Sequence, residues 1–172
     1  MILSNYFIKR KIRELIARPP GRRRSFRGWN EVRNILVFYE AKDQDEVAPC
    51  LETLRKMQKQ VAVCVYAPGP GAGPFPEEYQ VIRSKDVNAG GFPSAATCRA
   101  VAETQADLLI DLSRPGCYPL QYLLLQHPCP FKTGSKAGGP DLYDLSILVT
   151  GQDGIRYLFE QILFYLQSIH SK

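Results

Sequence analysis

Asp107-Leu-Leu-Ile-Asp-Leu-Ser113 is the stretch whose reading decides the fold. Leu108 to Leu112 is apolar on both sides of the chain, with a single carboxylate, Asp111, near its end. A strand wetted on one face alternates apolar with polar residues. A strand that is apolar throughout needs cover on both faces, the habit of a parallel sheet sandwiched by helices. Two upstream runs share that character: Arg33 to Tyr39 (RNILVFY) and Val61 to Tyr66 (VAVCVY). Between them, Asp45 to Gln60 places Val47, Cys50, Leu51, Leu54 and Met57 at the three-four spacing of a helix. Strand, helix, strand in that order is a β-α-β unit.

Outward from this centre, Ala67 to Pro76 is dense in Pro and Gly and reads as a loop. Tyr79 to Arg83 suggests a short strand, and Ser94 an N-cap for a helix through Gln105. Downstream, Pro119 to Gln126 reads as a helix stopped by Pro128, Phe131 to Gly134 as a short strand and Lys136 to Pro140 as a loop. Tyr143 to Val149 is a further strand. Asp153 is placed to cap a last helix, Gly154 to Ile169, whose apolar stripe includes Leu158, Ile162 and Leu166. The expected fold is α/β: a three-layer, Rossmann-like, mostly parallel sheet flanked by helices, carrying a basic N-terminal helical arm. Residues 1–30 form the arm and residues 31–172 one α/β domain, a size that suits a single core.

Charge divides the chain the same way. Residues 1–33 hold ten Lys/Arg against two acids, or +8, while the rest holds twelve basic and fifteen acidic groups, or −3. The net +5 therefore belongs to the arm. Within it, Ile8, Ile12, Leu15 and Ile16 share one side of a helix that Pro19 and Pro20 end, and GRRRSFRG (21–28) follows as a polybasic loop. Lys9, Arg10, Lys11, Arg13, Arg22, Arg23, Arg24 and Arg27 are the candidate contacts for an anionic partner through residues 1–28: nucleic acid, a ribonucleoprotein or an anionic membrane surface. The plainer alternative is that the apolar stripe docks on the domain and the charges are solvated. A third is a homo-oligomer joined through the stripe.

The same sequence bounds other classes. The longest nearly uncharged apolar run, Tyr157 to Ile169, is about 13 residues, short of the roughly 18 a bilayer span needs. The opening residues are apolar before they are basic, the reverse of a secretory signal. An Arg-rich start also fits a transit peptide, but without the Ser enrichment that reading wants. Cys50, Cys64, Cys98, Cys117 and Cys129 are odd in number and form no C-x-x-C, so they read as reduced thiols. The expectation is a cytoplasmic protein that can sit peripherally at the inner membrane face.

In an open α/β sheet, ligands gather beyond the C-terminal strand ends. The candidate ligand-binding residues there are Asp111, Ser113, Lys132, Thr133, Ser135 and Lys136. A carboxylate at the end of a buried strand must be paired or exposed. Asp111 could hold a ligand hydroxyl or a metal, cap the following turn, or pair with Arg114. His127 and Cys129 flank prolines in a helix-to-strand turn and read as structural; His170 reads as solvated. Gly69-Pro-Gly-Ala-Gly lacks dinucleotide spacing, and Pro74 and Pro76 prevent a helix from opening after it. Catalytic residues, a metal site and a cofactor are not indicated, and whether the chain is an enzyme stays open, as does the identity of any small-molecule ligand.

Two resemblances complete the reading. The series NILVFYE, VAVCVY, DLLIDLS, PLQYLLLQHPCPFKTGS, YDLSILV and EQILFYLQSI resembles a family of uncharacterised bacterial proteins of unknown function, over roughly residues 5–170. It implies a bacterial cytosolic protein. Locally, Asp107-Leu-Leu-Ile-Asp-Leu112, a helix and Pro130-Phe-Lys-Thr-Gly134 are similar to the N-terminal Rossmann-like half of heptosyltransferase-like glycosyltransferases. That likeness implies the fold. The chain is too short for the second half, which in those enzymes holds most of the nucleotide-sugar, so it does not imply transferase activity.

Overall fold

The computed structural model describes residues 4–136 and 139–169. Six parallel strands form one sheet in the order β3-β2-β1-β4-β5-β6. They are β1 (Asn34–Glu40), β2 (Gln60–Tyr66), β3 (Gln80–Ile82), β4 (Leu108–Asp111), β5 (Lys132–Lys136) and β6 (Leu145–Leu148). The helices are α1 (Ser4–Ala17), α2 (Gln44–Lys56), α3 (Ala95–Ala102), α4 (Tyr118–Gln126) and α5 (Ile155–Ser168). The chain thus folds as a Rossmann-like, three-layer α/β structure.

Alternation along β1 sorts its side chains between two cores. Ile35, Val37 and Tyr39 face Leu51 and Leu54 of α2 and Leu158 and Ile162 of α5. Leu36 and Phe38 face the opposite layer, with Val101 of α3 and Leu120, Leu123 and Leu124 of α4. Both sides of β1 and β4 are therefore filled, which is why their sequences do not alternate.

The arm is docked. Ile8, Ile12 and Leu15 are buried, and α1 packs chiefly on α4 as an outer helix. The polybasic loop is tied beneath the sheet: the Ser25 N–H donates to the Pro130 carbonyl (3.0 Å), and Phe26 packs on Phe131. Arg22 is the principal tie. Its guanidinium donates to the Cys129 and Pro130 carbonyls (3.2 and 3.1 Å) and to both oxygens of Asp144 (2.7 and 2.8 Å).

Three local readings change. β5 runs on to Lys136, which pairs with Leu148 of β6, so Lys136 ends a strand and does not open the loop. The last strand is shorter than read, because Tyr143 and Asp144 lie ahead of it. Asp153 does not cap α5. Its carboxylate turns back to accept from the Thr150 N–H (2.8 Å) and hydroxyl (3.1 Å), and the Ile155 N–H is taken by Glu46 of α2 (3.1 Å). His170 lies outside the described residues.

Candidate ligand-binding site

Asp111 ends β4 with its carboxylate wholly buried. Its Oδ1 accepts from the Ser113 N–H (2.9 Å) and the Ser113 hydroxyl (2.6 Å), the geometry of a side chain capping its own turn. Its Oδ2 accepts from the Tyr143 hydroxyl (2.7 Å). Burial pushes the Asp111 pKa up, while the bonds from Ser113 and Tyr143 pull it down. Burial, then the Asp111 charge, lifts the Tyr143 phenol well above its ordinary value, so it stays a donor.

Tyr143 reaches Asp111 by lying across Gly134 of β5. A Cβ at Gly134 would stand 2.3 Å from the Tyr143 ring, inside any tolerable contact. The absent side chain is what admits the ring. Arg114 turns away from Asp111. Its guanidinium donates to Asp43 (3.1 and 3.3 Å), which raises the guanidinium pKa, and its backbone N–H donates to Glu40 (3.1 Å), which ties the turn after β4 to the end of β1.

Beside this turn opens a cavity of about 350 Å³. Ser113 and Pro115 form one wall, Ser135 and Lys136 of β5 another, and Tyr118 and Gln121 of α4 a third. The fourth is the arm itself, through Lys9, Ile12, Arg13 and Ile16. Among the described residues, no carboxylate lines the cavity. Lys9, Arg13 and Lys136 have no carboxylate partner within 4.0 Å among the described residues; Lys9 lies over the Tyr118 ring, 5.0 Å from its centroid.

The six sequence-nominated ligand residues divide. Ser113, Ser135 and Lys136 line the cavity, and Asp111 lies behind it, reached through Ser113 and Tyr143. Lys132 and Thr133 do not line it. Lys132 pairs in register with Leu109, two positions before the strand end, and its ammonium donates to the Leu124 carbonyl at the close of α4. Thr133 is fully buried and donates to the Leu109 carbonyl (3.1 Å). Burial first, then Arg22, pushes the Lys132 pKa down to about 8. Between that value and the unfolded value of about 10.4 the unfolded chain binds the extra proton at this site, so the contribution of Lys132 to stability rises with pH across this window. The buried thiols, raised above the unfolded value of about 8.5, pull stability down over the same range, so Lys132 is read as a difference. Between about pH 8 and 10 the urea midpoint of Lys132→Met is expected to fall more steeply than that of the wild type, and equal slopes would refute the assignment.

The arm cations also divide. Arg22 is a structural tie, not a free contact. Arg10 and Lys11 are exposed beside Glu14 (3.6 and 3.4 Å), Arg24 is exposed beside Asp144 (3.5 Å), and Arg23 and Arg27 border a groove on the far side of the loop. Sequence reasoning missed Tyr143 and Gly134, and it kept Lys9 and Arg13 apart from the strand-end site. The apolar stripe of the arm was the available signal, since a stripe that docks carries its flanking cations with it.

Nucleophile chemistry finds little here. Burial raises all five thiols, Cys50 and Cys129 to about 11, which disfavours the reactive thiolate. His127 is buried; its Nδ1 accepts from the Cys129 N–H (3.0 Å) and its Nε2 faces the Thr104 carbonyl (3.0 Å), so the neutral ring satisfies both. Burial lowers its pKa. No group of three or more His, Cys, Asp or Glu among the described residues is placed to hold a metal.

A family model of unknown function, DUF6913, matches residues 5–169. The chain belongs to that family. No curated protein and no solved structure matches it. The match takes in the arm as well as the sheet, so in this DUF6913 chain the helix carrying Lys9 and Arg13 lies within the family's bounds. No helix among the described residues is long and apolar enough to cross a membrane.

Proposed function

We propose that this protein binds a small oxyanion-bearing ligand in the cavity between the arm and the C-terminal ends of β4 and β5. The observation that carries the reading is the charge of that cavity: Lys9, Arg13 and Lys136 border it and, among the described residues, no carboxylate does. The turn after β4, fixed by Arg114 to Asp43 and by Asp111 to Ser113, gives it a preorganised wall, which lowers the ordering cost of binding. The reading is one of binding, since the thiols are buried with raised pKa values and His127 is held by backbone groups. The transferase-like stretch contributes the sheet and the strand-end location. The cell setting of the reading is the bacterial cytoplasm.

Titration calorimetry with inorganic phosphate tests it. Binding is expected to weaken about tenfold or more in Arg13→Glu and in Lys136→Glu, because each swap puts a carboxylate among the remaining cations. Unchanged affinity in both variants would overturn the reading.

A second reading concerns the outward face of the arm. Tyr6 and Phe7 are 55% and 57% exposed on the helix that also carries exposed Arg10 and Lys11, a combination suited to an anionic membrane surface, with RNA or a ribonucleoprotein as alternatives. Here the apolar stripe packs on α4, so this reading rests on the outward residues and not on the stripe. Charge reversal at Arg10 and Lys11 then lowers association with anionic vesicles while leaving phosphate binding intact. No difference between anionic and neutral vesicles would sink this second use.

A further inference from the structure

A second cavity, of about 160 Å³, lies across the same turn on the α5 side of the sheet. Leu112, Val149, Ile155 and Leu158 give it an apolar lining. Its one carboxylate, Asp153, is occupied by Thr150. The two cavities share Ser113, Arg114, Pro115 and Ser135, so the turn after β4 and the end of β5 form a saddle between a cationic basin and an apolar one. The saddle is held from below, because Arg114 and the Ile155 N–H both approach Glu46 (3.8 and 3.1 Å).

We propose that the ligand is bipartite: a phosphate monoester of a compact apolar or aromatic group. The phosphate lies among Lys9, Arg13 and Lys136, and the apolar group crosses the saddle into the second cavity. This rests on the anion-binding reading above. Neither basin alone explains the pairing. A bare anion leaves the apolar cavity unfilled, and a neutral apolar molecule gains nothing from the three cations. The second cavity suits a single ring, since an apolar cavity of roughly 150 Å³ takes up benzene. A longer chain would overrun it.

The test is a calorimetric series on the full chain: inorganic phosphate, methyl phosphate, butyl phosphate and phenyl phosphate. Affinity is expected to rise along the series, with phenyl phosphate about tenfold to a hundredfold tighter than inorganic phosphate. Val149→Trp, at a half-buried position, should fill the second cavity and erase that advantage while leaving inorganic phosphate unchanged. Should this variant not fold, the wild-type series alone decides. A flat series with measurable phosphate binding overturns the bipartite ligand and leaves the anion site standing. No binding by any of the four overturns both.

Discussion

Gly134→Ala is expected to destabilise the protein by about 3–5 kcal/mol, far more than one added methyl group usually costs. The cause is the Tyr143 ring, which lies where the new Cβ must go. Moving the ring breaks its hydroxyl bond to Asp111 and leaves a wholly buried carboxylate short of a donor. Tyr143→Phe separates the two contributions. It keeps the ring and loses only the hydroxyl, so its cost should be about 1–3 kcal/mol. In a Tyr143→Ala background, Gly134→Ala should become nearly neutral, because the clash is gone. Urea unfolding of the four variants checks this, and simple additivity would show that ring and glycine are not coupled.

Arg22→Ala is the second large effect, expected at about 3–5 kcal/mol. The Arg22 and Asp144 side chains are only 12% and 9% exposed, so removing the guanidinium leaves a nearly buried carboxylate with only the Lys132 N–H (2.8 Å) and the exposed Arg24 (3.5 Å). Arg22→Lys should not restore stability, because an ammonium cannot reach both Asp144 oxygens and two backbone carbonyls as a planar fork does. The neighbouring substitutions Arg23→Ala and Arg27→Ala should stay within about 0.5 kcal/mol. If all three arginines behaved alike, the loop would be held by its overall charge and not by Arg22.

This contrast shows where the sequence was legible. Arg22, Arg23 and Arg24 are consecutive and chemically identical, and nothing local distinguishes them. What singles out Arg22 is its buried fork to both oxygens of Asp144, 122 residues away, and to the Cys129 and Pro130 carbonyls, whereas Arg24 meets Asp144 from the solvent side. The strands divide in the same manner. β1, β2 and β4 declare themselves by apolar runs because both faces are covered by helices. β5, Lys-Thr-Gly-Ser-Lys, is polar in composition yet sits between β4 and β6. Its burial depends on distant partners: the Leu124 carbonyl for Lys132, the Leu109 carbonyl for Thr133 and the Tyr143 ring for Gly134. The turn-capping alternative for Asp111 was readable because Ser113 is two residues on. Tyr143, which completes the site, was not, since its local pattern reads only as the start of a strand.

The seat of the arm bears on how the molecule is made. α1 emerges in synthesis well ahead of the helix it rests on, α4, which begins at Tyr118, roughly a hundred residues later. Until then Ile8, Ile12 and Leu15 lack the α4 face they pack on, and Lys9 and Arg13 lack the cavity they border. The docking is a long-range closure, costly in loop entropy and dependent on a sheet already in place. The cationic basin can therefore be completed only after the β1–β4 frame has formed, and chains cut short before α4 would carry the charge without the place to put it.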